Sequence, residues 1–426
     1  MMPKFKPVSI AQLLRIGQVD DEELAAILTS VLPLGAQFTS NEVEYRTSDD
    51  EWVLSLRYSE GVAVDAVTGP AFTPALEEQI RQALSDALDG TIRKIWRIPM
   101  FSLRRVEGYY LHADDSLIHP APETAPRPNV EYAQHPWILE FSYVESSNSQ
   151  VRNLRTERRA YELSLVLNLL LGGSINRPTN RGRNHWVYVR KADQTPWAVD
   201  SQWLQEGYFI PGLDMQADRF SDVGAWSPLT EDPTEAFYGR RGFDFKPSTV
   251  PASMTDLSDS FNRLSRTQRN RFLRSCYWLH MESVVWTYSQ SLNLVSIINA
   301  LECLAQSGEK RREADASTNM FLDFTQEYAP GRPSRSRLNK IYEVRSLVTH
   351  GERLLGYDNP QANSLHPTSS SDRESGTEAL LLARGAIINW LVREAGGSAN
   401  LLNIDPYPKG PATRPGTKSE VKIITP

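Results

Sequence analysis

The feature that most constrains this chain is a break in its hydrophobic pattern near residue 256. Before the break, some apolar residues recur at every second position and others at helical spacing. After it, no strand signal of any strength remains. Five stretches there carry helical spacing: Leu264 to Trp286, Ser289 to Gln306, Asn319 to Tyr328, Ser336 to Arg353 and Asp372 to Glu394. Strand side chains alternate with period 2 and helical ones return every 3.6 residues, so the switch predicts a change of architecture. In the last stretch Leu380, Leu381, Ile387, Ile388 and Leu391 form one apolar stripe. Ser371 and Glu374 have capping-box spacing, and Gly396 follows the end. Gly356 to Ser371 reads as a polar loop, and residues 404–426 read as a disordered tail.

The first 250 residues read as an α+β region. Trp52, Leu54, Leu56 and Tyr58 alternate with Val53, Ser55 and Arg57, which predicts a strand. Thr73-Pro74 reads as a helix start, Leu76, Ile80, Leu84 and Leu88 follow at four-residue spacing, and Gly90 closes the helix. Residues 113–136 hold Pro120, Pro122, Pro126, Pro128 and Pro136 and read as a loop or linker. A strand is predicted from Trp137 to Val144, a helix from about Val151 to Leu171 ending at Gly172-Gly173, and a strand from His185 to Val189. Residues 192–255 show little periodicity and receive no assignment.

Composition excludes several classes. The 426 residues hold 46 Lys+Arg against 52 Asp+Glu, a net charge of −6, so the chain is not basic overall. Two cysteines, Cys276 and Cys303, rule out a disulfide framework and a cysteine-based zinc site. No signal peptide is evident, and the most apolar run, Leu163 to Leu171, is too short to span a bilayer and contains Asn168. The expectation is a cytoplasmic protein without membrane contact. There is no glycine-rich phosphate loop, nucleophile elbow or zinc-binding His-Glu-x-x-His helix. The seven histidines show no metal-ligand spacing, so no metal site and no cofactor is expected, with carboxylate-bound magnesium left open.

One segment of the helical part stands out: Arg345-Ser-Leu-Val-Thr-His350-Gly351, at the end of a helix with Leu338, Ile341, Val344 and Val348 on its apolar side. The segment resembles the Arg-x4-His signature of HEPN domains, which are helical bundles associated with nucleotides or RNA. The fuller pattern resembles the Apea-like HEPN subgroup. A helix with Ala300-Leu301-Glu302 precedes Tyr342-x-x-Arg345-Ser346-x-x-x-His350-Gly351 by some 40 residues. The resemblance covers about 256–400 and implies a HEPN-like bundle after the α+β region. Position 352 is Glu, where some HEPN toxins carry a modifiable Tyr.

The resemblance implies a metal-independent endoribonuclease. A histidine can carry the proton of a ribose 2′-OH as it attacks the adjacent phosphorus, and an arginine can hold the phosphate oxygens. Arg345 and His350 are the expected catalytic residues, with products ending in a 2′,3′-cyclic phosphate and a 5′-OH. Ser346, four residues before His350, shares its helix face and can orient the imidazole. Glu302 and Tyr342 are expected to support the site. Known HEPN ribonucleases build their cleft from two copies, so a homodimer is implied. The alternatives remain open: His350 at a helix end and Arg345 paired with Glu302 or Glu343 would equally suit a structural role, and the bundle would then be an inactive RNA- or nucleotide-binding dimerisation module or a protein scaffold. A looser variant, Arg274 to His280, has one more intervening residue.

On the same helical stretch as Glu302 runs a polar stripe, Asn293, Ser296, Asn299, Glu302 and Gln306, which either lines the cleft or faces solvent. Two basic runs complete the inventory. Between 151 and 191 stand Arg152, Arg155, Arg158, Arg159, Arg177, Arg181, Arg183, Arg190 and Lys191 against Glu157 and Glu162, with His185, Trp186 and Tyr188 interleaved. Arg263, Arg266, Arg269, Arg271 and Arg274 form the second run, with no acid between. These runs offer RNA-binding candidates, Arg177, Arg181, Arg183, Arg266 and Arg269 foremost, or else salt-bridged helix faces. The α+β region is expected to sense a trigger molecule or protein, in a setting of anti-phage or stress defence.

Overall fold

The protein is described by a computed structural model. It describes residues 8–9, 20–32, 34–38, 42–47, 49, 51–59, 62–88, 90, 92–113, 115–125, 135–173, 175–177, 186–189, 201–204, 208, 210–240, 246–285, 288–305, 314–359 and 367–404. Sheets and helices share the first part of the chain, and the described part after residue 251 is helical.

The first sheet is an antiparallel meander. It contains β1 (Val8–Ser9), β2 (Leu34–Phe38), β3 (Glu42–Arg46), β4 (Trp52–Ser59) and β5 (Val62–Thr68), in the order β1-β5-β4-β3-β2. Two helices, α1 (Asp21–Val31) and α2 (Pro74–Leu88), pack on it. Leu24, Ile27 and Leu28 of α1 and Ile80 and Leu84 of α2 meet Tyr45, Leu54 and Leu56, all nearly inaccessible. The predicted strand and helix lie where the spacing put them. The Thr73 carbonyl and hydroxyl accept the Glu77 and Leu76 amides at the start of α2. Gly90 serves differently from a left-handed cap: a Cβ there would sit 2.2 Å from the Glu145 carbonyl oxygen.

The second sheet holds β6 (Arg93–Ser102), β7 (Tyr110–His112), β8 (Ser116–Pro120), β9 (His135–Val144) and β10 (Ile175–Asn176). Its order is β10-β6-β9-β8-β7. The ten-residue strands β6 and β9 pair along their whole length. The proline-rich stretch 113–136 is therefore no simple loop, because it contains β8 and the start of β9. Ser116 to His119 are buried, and Pro120 sits at the strand's last position, where an absent N–H costs the ladder nothing. Pro99, in the middle of β6, is accommodated by a gap. The Arg97 amide donates to Met215, and period 2 aims the Pro99 nitrogen the same way, between the short neighbours on that edge.

Helix α3 (Ser149–Leu170) follows, capped by Asn148, whose side chain accepts the Gln150 and Val151 amides. Its end is fixed by Asn168. The Asn168 carbonyl accepts the Gly173 amide, its side chain donates to Ile175, and Gly172 and Gly173 take the left-handed conformation at φ 75° and 90°. Strands β11 (Trp186–Val189) and β12 (Ser201–Leu204) pair with each other, consistent with the expected strand at 185–189. The unassigned 192–255 contains further short elements: β13 (Gln216–Ala217), β14 (Glu231–Asp232), α4 (Thr234–Tyr238) and β15 (Val250–Pro251). Two-residue strands leave no period to read.

The bundle comprises α5 (Met254–Arg263), α6 (Arg266–Val285), α7 (Gln290–Ala305), α8 (Ala314–Tyr328), α9 (Arg335–Thr349) and α10 (Pro367–Glu394). Helix α5 was not anticipated, and it is separated from α6 by extended Leu264. The break is written in a capping box: the Gln268 side chain accepts the Ser265 amide while Ser265 Oγ accepts the Gln268 amide. Ser371, expected at a helix start, lies inside α10, which opens at Pro367. Helix α7 is central, with Leu294, Ile297, Ile298, Ala300, Leu301 and Leu304 buried. One continuous core joins Ile98, Leu139 and Phe141 of the second sheet, α3, and the whole bundle to Leu402. The 250/256 division thus falls inside a single core. The tail from residue 405 lies outside the described residues. Among the described residues, no helix is long and apolar enough to cross a membrane.

Two buried polar devices hold this arrangement. Asn389, fully buried, donates to the Tyr328 and Leu402 carbonyls and accepts the Leu402 amide. On the second sheet, fully buried Glu140 faces Arg97 across the β6–β9 pair at 2.9 Å and accepts Ser221's amide and hydroxyl. His119 reaches Glu140 with one ring nitrogen and the Pro120 carbonyl with the other, and stacks on Trp226. Burial pushes the Glu140 carboxyl up, but His119, Ser221 and Arg97 outweigh it and hold it at about 2.

Replacing Asn389 by Ala leaves three backbone groups unpaired in the core. At about 1–3 kcal/mol per buried orphan, the variant is expected to lose about 3 kcal/mol or more, read as a lower urea midpoint at unchanged slope. Glu140 carries its proton less readily folded than free, so its contribution is present above about pH 4.5 and fades as pH falls toward 2. Urea midpoints measured across that window should decline, and Glu140→Gln should flatten the decline.

Candidate functional site

The helices carrying Glu302 and Arg345 pack against each other. Helix α9 starts at Ser334, whose side chain accepts the Arg337 amide, and buries Leu338, Ile341 and Tyr342. Arg345 lies one turn beyond Ile341, on the side facing α7. Its Nη2 donates to Glu302 Oε2 at 2.9 Å and to Asn299 Oδ1 at 3.4 Å. The Tyr342 hydroxyl donates to the other Glu302 oxygen at 2.9 Å. One carboxylate thus holds two residues of α9 spaced three apart. Tyr342 also packs against Phe321 of α8, ring centroids 4.9 Å apart, and the guanidinium lies 5.5 Å from the Tyr342 ring. Burial raises the Tyr342 hydroxyl's pKa, and the adjacent Glu302 charge adds to the shift. The Arg345 and Glu302 side chains are only 19% and 17% exposed, so the pair is poorly screened.

His350 occupies a different environment. It caps α9, its amide donating to the Ser346 and Val348 carbonyls, and it is exposed. Its ring has no hydrogen-bond partner among the described residues, and Ser346 reaches it through the backbone carbonyl. Five residues along an α-helix turn the side-chain direction by about 140°. Within one chain, Arg345 points toward α7 and His350 toward solvent. Gly351 follows in the left-handed conformation, φ 76°, and turns the chain away.

The polar stripe on α7 is neither a plain solvated face nor a uniform cleft wall. Asn293 donates to buried Glu282 of α6, Ser296 is buried, and Asn299 and Glu302 serve Arg345. Gln306 lies outside the described residues. In the looser motif, Arg274 is exposed on α6 whereas His280 is largely buried, its pKa lowered by desolvation. Six residues place them about 120° apart around the helix.

Most described arginines of the first basic run are spent on structure. Arg155 makes a two-pronged pair with Glu23 at 2.9 and 2.7 Å, Arg158 binds Asp20 and Glu22, and Arg159 binds Asp115 and Glu162. Arg177 grips both oxygens of Glu157. Arg181, Arg183, Arg190 and Lys191 lie outside the described residues. In the second run Arg269 stands 2.5 Å from Glu162 and over the Phe261 ring, while Arg271 donates to the Leu304 carbonyl. Arg266 and Arg274 are exposed, with no hydrogen bond or ion pair among the described residues.

Sequence reasoning missed the Glu140 cluster, although its residue types invite a catalytic reading. The geometry argues against one. Ser221's hydroxyl donates to the Glu140 carboxylate, which is held at about 2 and is too weak a base to draw its proton at neutral pH, and both His119 nitrogens face other oxygen acceptors, so the imidazole is not aimed at the hydroxyl. Among the described residues, no group of three His, Cys, Asp or Glu side chains is placed to hold a metal ion.

Compared with protein-family models, curated proteins and solved structures, the chain matches none.

Tyr342→Phe removes one hydrogen bond from Glu302 and should cost about 1 kcal/mol. Glu302→Gln strips Arg345 of its carboxylate and should cost more, about 1–3 kcal/mol. Urea denaturation of both variants beside the parent protein measures the difference.

Proposed function

We propose that the chain is a metal-independent endoribonuclease whose helical part is a HEPN-like bundle, with Arg345 and His350 as catalytic residues. The observation that carries this reading is the meeting of two sequence fragments some 40 residues apart. Glu302 of the Ala-Leu-Glu helix contacts both Tyr342 and Arg345 of the Tyr-x-x-Arg-Ser helix. This contact fixes the guanidinium at one place while leaving its Nη1 unclaimed among the described residues. His350 stands accessible at the end of the same helix. A positioned arginine offers charge to a phosphate, and an accessible imidazole carries protons near neutrality.

The divergence of the two side chains within one chain favours a cleft shared by two copies. Exposed Tyr288, Leu292 and Leu354 supply an apolar margin close to the motif. Leu354 is brought to the start of α7 by the neighbouring Leu355 amide, which donates to Ser291. The α+β part then restrains or triggers the nuclease, in a defence or stress setting.

A second reading has its own observation. Arg345 already has a carboxylate partner and His350 already ends a helix, the arrangement of a non-catalytic RNA- or nucleotide-binding module.

The test is cleavage of RNA in EDTA by the purified full chain, with product ends analysed. The parent should leave 2′,3′-cyclic phosphates. His350→Ala should lower the rate by about 100-fold or more, and Arg345→Ala by a similar factor. Binding without cleavage by the parent, unchanged in His350→Ala, would establish the module instead.

A further inference from the structure

An open groove of about 680 Å³ runs between α3 and α6, lined by neither Arg345 nor His350. Its floor packs on the main core: Leu273 and Trp278 are partly buried against it. Its walls are aromatic and exposed. Tyr161 of α3 is 50% exposed and Tyr277 of α6 39% exposed. The Tyr277 and Trp278 rings stand 5.7 Å apart at 70°, so one presents a face where the other presents an edge. Asn270 and Arg274, four residues apart, point from the same side of α6 into the groove.

The charge of the groove is one-sided. None of its lining residues is acidic. The α3 acids beside it are paired: Glu162 with Arg159 and Arg269, and Glu157, one turn before Tyr161, with Arg177. Arg274 is left without an ion pair among the described residues, and Arg266 lies eight residues earlier, about 80° around the helix and about 12 Å away along the axis. An exposed arginine that no carboxylate neutralises attracts an anion. Exposed aromatic rings beside it attract a flat π-system, and stacking with a cation nearby is how unpaired bases are held. Asn270 adds an amide able to donate and accept along a base edge.

We infer that this groove binds a nucleotide, its base against Tyr161 and Tyr277 and its phosphate on Arg274. The ligand is a residue of single-stranded RNA or a free mononucleotide, which share this chemistry. The inference for RNA rests on the proposed nuclease reading; the inference for a nucleotide does not.

The experiment uses the full chain carrying His350→Ala, so that RNA is not consumed. Binding is measured with a fluorescently labelled single-stranded oligouridylate and, separately, with ATP and AMP through quenching of tryptophan fluorescence. Arg274→Gln and Tyr277→Ala should each weaken binding about tenfold, and Arg274→Gln should lower the salt dependence by about one charge. Both residues are exposed, so the fold is not at risk, and exposed Arg219→Gln serves as the control that should change nothing. Oligonucleotide binding sensitive to both variants identifies RNA as the ligand. ATP or AMP binding sensitive to both, without oligonucleotide binding, identifies the free nucleotide. Binding of either probe that ignores both substitutions, or no binding of any probe, overturns the groove assignment. Cleavage by the chain with His350 intact that is lost in Arg345→Ala, together with probe binding that ignores Arg274→Gln and Tyr277→Ala, would leave the nuclease standing while the groove fails.

Discussion

Helix α3 is the constraint on which the arrangement depends, because it belongs to two cores at once. Its first turn contributes Val151 to the core of the first sheet, and Arg155 and Arg158 tie that end to the acidic start of α1. In the other half, Ala160, Leu163 and the run from Leu165 to Leu170 are buried between the second sheet and α6. Desolvation works against charge at Asp20, yet the hydrogen bond from Arg158 and the amides of Glu23 and Glu22 win, and its pKa is lowered. A helix of this kind cannot show a clean amphipathic stripe, since each half buries a different face.

The bundle solves a related problem with polar groups inside. Ser275 on α6 donates to the Ala300 carbonyl on α7, Asn389 secures α10 to the end of α8, and Glu302 joins α7 to α9. These are directional contacts between helices that apolar packing alone would let slide. Buried polar groups of this type specify one register as much as they stabilise it. The same property makes Glu302 an effective holder for Arg345, since a carboxylate with both oxygens occupied has little freedom to release its partner.

Local pattern made several elements legible. Alternation around Trp52 to Tyr58, four-residue spacing after Pro74, and the run before Gly172-Gly173 each found their element because one residue's burial followed from its own neighbours in sequence. Strand β8 was hidden by its prolines, although Pro120 only closes it. The fate of the arginines was equally hidden. Glu23, the partner of Arg155, lies 132 residues away, and no window contains both. At the candidate site, Arg345, Tyr342 and Glu302 were legible through a motif, and Asn299 through the stripe on α7. Nothing local separated Arg266 and Arg274 from Arg269 and Arg271, because which way each points depends on the break at Leu264 and on the placement of α3.

The sharing of one core by the second sheet and the bundle bears on how such a chain can change over generations. A recombination crossover near residue 250 would hand the incoming partner half of an interior, with Leu139, Leu163 and Leu170 facing whatever arrived. A crossover near residue 90 would cut where the core of the first sheet is nearly complete, with Val151 its one member from beyond β6. A crossover at the first junction therefore divides less buried apolar surface than one at the second, and what it would sever is chiefly polar: the pairs of Arg155 and Arg158 with the start of α1.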